Sequence, residues 1–255
     1  MSQTALITGA SSGMGLRYAE QLAARNYDLI IVSNQEDQLM EASASLIERY
    51  GVNVIPRYQD LASETAADEL FRFCQEERLD IDILINNAGM FFFRELKPDD
   101  RMVPAMLALH ICTPTRLCIL FGEEMKKKGH GFILNMSSMA ASLPMPGITI
   151  YSATKAYLKS FTKSLYFEMR PYGVGVTTVC PGAIATPLYK LDPRLLDFGV
   201  KVGVIGTPEW LVRRALRGMF HHRRTVRPGL MNYWVPAVIS ILPKCLIAKI
   251  WKRVR

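Results

Sequence analysis

The sequence predicts an α/β domain: one doubly wound parallel sheet with helices on both faces, followed by an apolar and basic C-terminal extension. Three observations point there. Apolar runs of strand length alternate with helix-period segments through the first 180 or so residues. A glycine-rich turn, Gly9-Ala-Ser-Ser-Gly13-Met-Gly15, separates the first strand from the first helix. A content of 49% hydrophobic residues in a chain of 255 suits a single domain with a sizeable core.

The elements follow in order. Residues 4–8 form a short apolar strand, and residues 16–26 read as helix. Strands over 28–33, 52–57 and 82–86 alternate with helices over 36–50 and 63–78. A further strand starts at Phe132 and runs into a loop at Ser138, and a helical run covers 156–170. A helix over 211–220 and a short last strand over 224–226 complete the pattern. Strands that are apolar on both faces belong in a parallel sheet covered on both sides. Ligands then bind beyond the carboxyl ends of the strands. Polar residues cluster at those ends: Asn34, Asp60, Asn86, Asn87, Ser138, and later the pair Pro181-Gly182.

Two of these stretches carry chemistry. The glycine turn lets backbone approach a pyrophosphate and sets it at a helix N-terminus, where free N–H groups favour anions. Its spacing, Gly-x-x-x-Gly-x-Gly, differs from the G-x-G-x-x-G of other dinucleotide folds. The second stretch is Tyr151-Ser-Ala-Thr-Lys155. Residues four apart share a helix face. A phenol normally titrates near ~10, and a fixed ammonium one turn away lowers that value toward a working acid/base. A hydroxyl at Ser138 is placed to hold a substrate carbonyl while Tyr151 moves the proton.

Together these residues resemble the short-chain dehydrogenase/reductase family. The matching motifs are Thr8-Gly-Ala-Ser-Ser-Gly-Met-Gly15, Asp60-Leu61, Asn86-Asn-Ala-Gly89, Ser138, Tyr151-x-x-x-Lys155 and Pro181-Gly-Ala-Ile-Ala-Thr186, covering roughly residues 4–190. The resemblance implies a Rossmann-type fold, NAD(P) as cofactor and interconversion of an alcohol and a ketone. It implies Tyr151 as acid/base, Lys155 as the residue that tunes it and holds the nicotinamide ribose, and Ser138 as the group that orients the substrate oxygen. The cofactor-binding set it implies opens with Gly9, Ser11, Ser12, Gly13, Met14 and Gly15 around the pyrophosphate. Ser33 and Asn34 would lie at the adenosine ribose, and Asp60 and Leu61 by the adenine. Asn87, Ala88 and Gly89 would line the ribose, and Pro181, Gly182, Ile184 and Thr186 the carboxamide end.

One family residue is missing. Where the family carries a catalytic asparagine, this chain has His110. In the family that residue marks a helix kink whose main-chain carbonyl holds a relay water to the lysine. Pro114, four residues on, has no N–H for the His110 carbonyl, so the water site is expected to survive the change of side chain. His110 therefore enters the catalytic set, with a buried histidine hydrogen-bonded to a neighbour as the alternative. At the cofactor-selecting end of the second strand stands Ser33-Asn34-Gln35. It has neither the acid of NAD-preferring relatives nor the arginine of NADP-preferring ones. No carboxylate repels a 2′-phosphate, so NADP(H) is expected over NAD(H).

Apolar residues surround the same site. Met90-Phe-Phe-Phe93, Leu143-Pro-Met-Pro146 and Leu188-Tyr189 favour a lipophilic substrate such as a steroid, a 3-oxoacyl chain or a fatty ketone. The segment over residues 187–206 is expected to cover it. The alternative reading is a non-catalytic NAD(P)-binding regulator that kept the fold. Five scattered cysteines form no metal-ligand or disulfide spacing, so no metal is expected. No apolar leader precedes the first strand, which makes a cytoplasmic enzyme the expectation.

Charge is segregated. The first 209 residues carry 20 Lys/Arg against 23 Asp/Glu, whereas residues 210–255 carry eleven Lys/Arg and no Asp/Glu. The run from Trp234 to Trp251 is apolar but broken by Pro236 and Pro243, too interrupted for a span. The expected division is a catalytic domain over 1–230 and an extension over 231–255. That extension suits the surface of an anionic membrane, or a subunit contact in a homo-oligomer. Nucleic acid is not an expected partner, because no recognition fold accompanies the charge.

Overall fold

The computed structural model describes residues 3–143, 145–182, 184, 205–229, 232–235 and 238. Seven strands form one parallel sheet: β1 Thr4–Thr8, β2 Asp28–Ser33, β3 Val54–Tyr58, β4 Ile81–Asn86, β5 Gly131–Met136, β6 Val174–Val179 and β7 Thr225–Val226. Their order is β3-β2-β1-β4-β5-β6-β7, and every pairing is parallel. β4 crosses over to lie against β1, so the strand order reverses at that pair and a crevice opens beyond their carboxyl ends.

The helices have local causes. α1 (Gly13–Ala23) starts inside the glycine turn, three residues before the expected start. α2 (Glu36–Tyr50) has Glu36 and Asp37 in its first turn and Arg49 in its last, charges that complement the helix dipole. It ends at Gly51, whose φ of +66° makes the left-handed cap. α3 spans Ala66–Glu76. α4 (Met102–Leu107) continues through a π-helical turn at Ala108–Cys112 into α5 (Thr113–Lys128). α6 runs Thr149–Met169 and starts well before the expected run, so that both Tyr151 and Lys155 lie within it. α7 (Pro208–Phe220) opens on Thr207, whose hydroxyl accepts from the Trp210 N–H, with Pro208 as its first residue.

Each face of the sheet is dry. α1, α2 and α7 cover one face around Ile7, Ile31, Ile83, Leu134 and Leu216. α3, α5 and α6 cover the other around Leu6, Val32, Leu84, Ile133 and Val176. This two-sided burial explains why the strands are apolar throughout rather than alternating. Among the described residues, Met102–Lys128 is the one helical run long and apolar enough to cross a membrane. It is a core element here, burying Leu117, Cys118, Phe121 and Met125 against the sheet.

Candidate active site

Beyond the β1 and β4 ends lies a cleft of about 600 Å³, within the range of small-molecule and cofactor sites. The glycine turn forms one wall. Gly9 holds φ +66°, and its N–H donates to the Val32 carbonyl at 2.7 Å. A Cβ on Gly15 would stand 1.9 Å from the Gly9 carbonyl oxygen, so only glycine lets the helix start this close to the strand. Gly15 thus shapes the turn from behind and is not part of the cleft wall.

Thr8 and Asn87 lock β1 to β4. The Thr8 hydroxyl oxygen accepts from the N–H groups of Asn87 and Ala88, both at 3.0 Å. The Asn87 amide donates to the carbonyls of Thr8 and Gly9. Its Oδ1 is buried without a protein partner while Asn87 lines the cleft. A buried acceptor left over in this way fits the hydroxyl or amide donors of a dinucleotide. With the glycine turn and the α1 N-terminus, the wall fits a nicotinamide dinucleotide.

Most of the expected residues come together. Ser11, Ser12, Gly13, Met14, Ser33, Asn34, Asp60, Leu61, Ala88, Gly89, His110, Tyr151, Lys155, Pro181, Gly182 and Ile184 all line the cleft. Ser33 is buried, sharing a hydrogen bond with the Ser11 hydroxyl at 2.9 Å and accepting from the Gln35 N–H at 3.1 Å. Asp60 accepts from the Ala62 N–H and so pins its own turn. Ser138 is buried beside the cleft, whose wall at that point is Ser137. Its Oγ accepts from the Ala140 N–H at 3.1 Å and opens the 3₁₀ turn Met139–Ser142. Ala140 in that turn packs with Tyr151. Thr186, Leu188, Tyr189 and most of the expected cover over 187–206 lie outside the described residues, as do 239–255.

Lys155 is 5% exposed, and its Nζ donates to the Met136 carbonyl at 2.9 Å. Burial pulls its ammonium down from 10.5 to about 8. The Nζ sits 5.8 Å from the centroid of the Tyr151 ring. Ser137, which the sequence did not single out, donates to the Lys155 carbonyl at 2.8 Å and ties α6 to the end of β5. Phe91 meets Tyr151 edge to face at 5.0 Å, and Met90 and Phe92 pack around it. Phe93, by contrast, is 48% exposed, so the aromatic run is only partly a substrate wall. A second, small cavity of about 10 Å³ lies among Thr8, Asn86, His110 and Lys155. That is room for one water, and the buried Asn86 Oδ1 in its wall has no protein partner.

Residues 3–193 match the short chain dehydrogenase family. The chain belongs to that family. The dehydrogenase is 31% identical over 255 residues to the human very-long-chain 3-oxoacyl-CoA reductase, covering 98% of this chain and 78% of that one. Its fold matches a short-chain dehydrogenase from Sphingobium yanoikuyae solved with NADPH, with TM-score 0.80, 28% identity, and 95% and 97% of the two chains covered. It also matches the bulky-bulky ketone specific alcohol dehydrogenase of Comamonas testosteroni, with TM-score 0.78, 28% identity and 95% of each chain covered. The dehydrogenase is an NAD(P)-dependent oxidoreductase that interconverts alcohols and carbonyl compounds. The regulator alternative gives way to this.

Proposed function

We propose that the dehydrogenase reduces a lipophilic ketone, of the 3-oxoacyl, steroid or fatty-ketone type, with Tyr151 as the proton donor. The observation that carries this is the buried Tyr151–Lys155 pair in α6, walled by Met90 and Phe91 at the inner end of the dinucleotide cleft. When bound, the nicotinamide supplies the hydride. The protein's residues handle the proton and the substrate. The Tyr151 hydroxyl protonates the developing alkoxide, the Lys155 ammonium stabilises the phenolate left behind, and the Ser138 hydroxyl donates to the same oxygen. A single water in the small cavity would return the proton through Lys155. A panel of 3-oxoacyl thioesters, steroids and fatty ketones assayed with NADPH tests the reading. Turnover confined to small polar ketones or sugars would overturn it.

NADPH is the preferred cofactor in this reading. The support is the absence of any carboxylate at Ser33, Asn34 or Gln35 along the cleft wall. None of these three residues is an arginine either, so Asn34→Arg should lower the KM for NADPH about tenfold, the size of one charge-assisted hydrogen bond. The KM for NADH should barely change. If the NADPH/NADH ratio of kcat/KM does not rise, the 2′-phosphate does not sit beside Asn34.

The extension over 231–255 is proposed to dock the enzyme on anionic lipid. The charge segregation supports this, as do Tyr233, Trp234 and Val238, which are 54%, 69% and 50% exposed. Each basic side chain at such a surface contributes about 1 kcal/mol. Liposome co-sedimentation should need anionic lipid, weaken with salt and drop on deleting residues 244–255. If the intact protein stays in the supernatant throughout, the extension serves a homo-oligomer contact instead.

A further inference from the structure

His110 replaces the family asparagine, and its surroundings decide what it does. The π-turn at Ala108–Cys112 closes with the Thr113 N–H donating to the Ala108 carbonyl, five residues back. Such turns insert one extra residue and often mark functional sites. Here the ring of His110 lies 1% exposed against Tyr151, with ring centroids 5.8 Å apart. Both ring nitrogens are engaged. The Met90 N–H donates to Nε2 at 3.0 Å. A backbone amide can only donate, so the ring proton belongs on Nδ1. Nδ1 stands 3.0 Å from the Thr154 hydroxyl, which itself donates to the Tyr151 carbonyl at 2.9 Å. The chain Met90 N–H, His110, Thr154, Tyr151 C=O is thus complete and runs in one direction, with no proton to spare.

The surroundings enforce that state. Burial and the facing Lys155 ammonium hold the imidazole neutral, far below its ordinary value. Among the described residues, Lys155 and Tyr151 on α6 are the charged and titratable groups facing it. Gly89 leaves the ring its place, because a Cβ there would stand 3.0 Å from Nε2.

We infer that His110 is a positioning residue, a neutral clamp that fixes the Met90–Phe91 substrate wall to the backbone of Tyr151 through Thr154. This deepens the catalytic reading above and rests on it. What the clamp sets is the separation between the wall that seats the ketone and the residue that protonates it. Geometry of this kind acts on kcat, since displacement by about 1 Å costs on the order of 10²-fold.

The test is a double-mutant cycle of His110→Ala and Thr154→Val, with His110→Asn as the conservative variant. Thr154→Val keeps the shape and removes only the hydroxyl, which guards against a variant that merely fails to fold. Each of the two disruptive changes should lower kcat about 10- to 100-fold. The double variant should lose little more than the worse single one, because both break one chain of hydrogen bonds. His110→Asn can still accept from the Met90 N–H, so it should recover most of the loss. Its pH profile for kcat should keep the wild-type apparent pKa values. A profile that loses or shifts a limb in His110→Asn would make His110 a titrating proton carrier and overturn the clamp. Additive losses, or a fall in Tm with kcat unchanged, would equally overturn it. Failure of the catalytic reading looks different: Tyr151→Phe would then leave turnover intact.

Discussion

Tyr151→Phe is expected to lower kcat by at least ~10²-fold, the low end for a positioned proton transfer, while the cofactor still binds. The change removes one oxygen and keeps the ring. The phenyl ring keeps its edge-to-face contacts with Phe91 at 5.0 Å and His110 at 5.8 Å. Its place among Met106, Ala140 and Ile148 is apolar and unaffected. The glycine turn, Asn87 and Gly182, which line the dinucleotide cleft, keep their side chains and backbone. Binding of NADPH, followed by its fluorescence, should therefore stay within about twofold, well under the tenfold that 1.4 kcal/mol represents. An unchanged kcat would remove Tyr151 from the acid/base role. Loss of cofactor binding together with activity would mean that the site had collapsed rather than lost its proton donor.

Lys155→Met is expected to abolish most activity and to stabilise the fold. Activity should fall by at least ~10²-fold in kcat/KM, because the charge that favours the phenolate goes with the side chain. The stability gain follows from burial. Lys155 titrates near 8 in the folded chain against 10.5 for an ordinary lysine. Between those two values the unfolded chain holds a proton that the folded one has released. Wild-type stability accordingly rises with pH through that window. Below about pH 8 the folded enzyme bears the whole cost of the buried charge, roughly 3 kcal/mol at 1.36 kcal/mol per tenfold change. Methionine escapes it but forfeits the hydrogen bond to the Met136 carbonyl, worth about 1 kcal/mol. A net gain of about 2 kcal/mol is expected at pH 7, shrinking toward zero near pH 10. Urea denaturation of both proteins at the two pH values measures it. A variant less stable than wild type at pH 7 would show that the buried ammonium is not a burden. Catalysis and stability are opposed at this residue, as at many tuned sites.

Local pattern made much of this legible in the sequence. Strand–helix alternation reports the covered parallel sheet, because burial on both faces makes each strand apolar along its length. The glycine turn is legible because Gly15 answers a close approach within a few residues of chain. Tyr151 and Lys155 are legible because a helix brings residues four apart onto one face whatever surrounds it. Tertiary structure decided the rest. In sequence Thr8 is only the residue that opens the glycine motif at the end of a short strand. It became the link between the two central strands only because β4 pairs with β1, placing Asn87 and Ala88 over it across 79 and 80 positions of sequence. Ser137 joins the cleft wall beside Ser138, and only the packing of α6 on the end of β5 brings its hydroxyl to the Lys155 carbonyl. His110 was open to two readings for the same reason. Its partners Met90 and Thr154 lie 20 and 44 residues away. No periodicity reports a hydrogen bond between elements that only the packing of α6 against the π-turn brings within 3 Å.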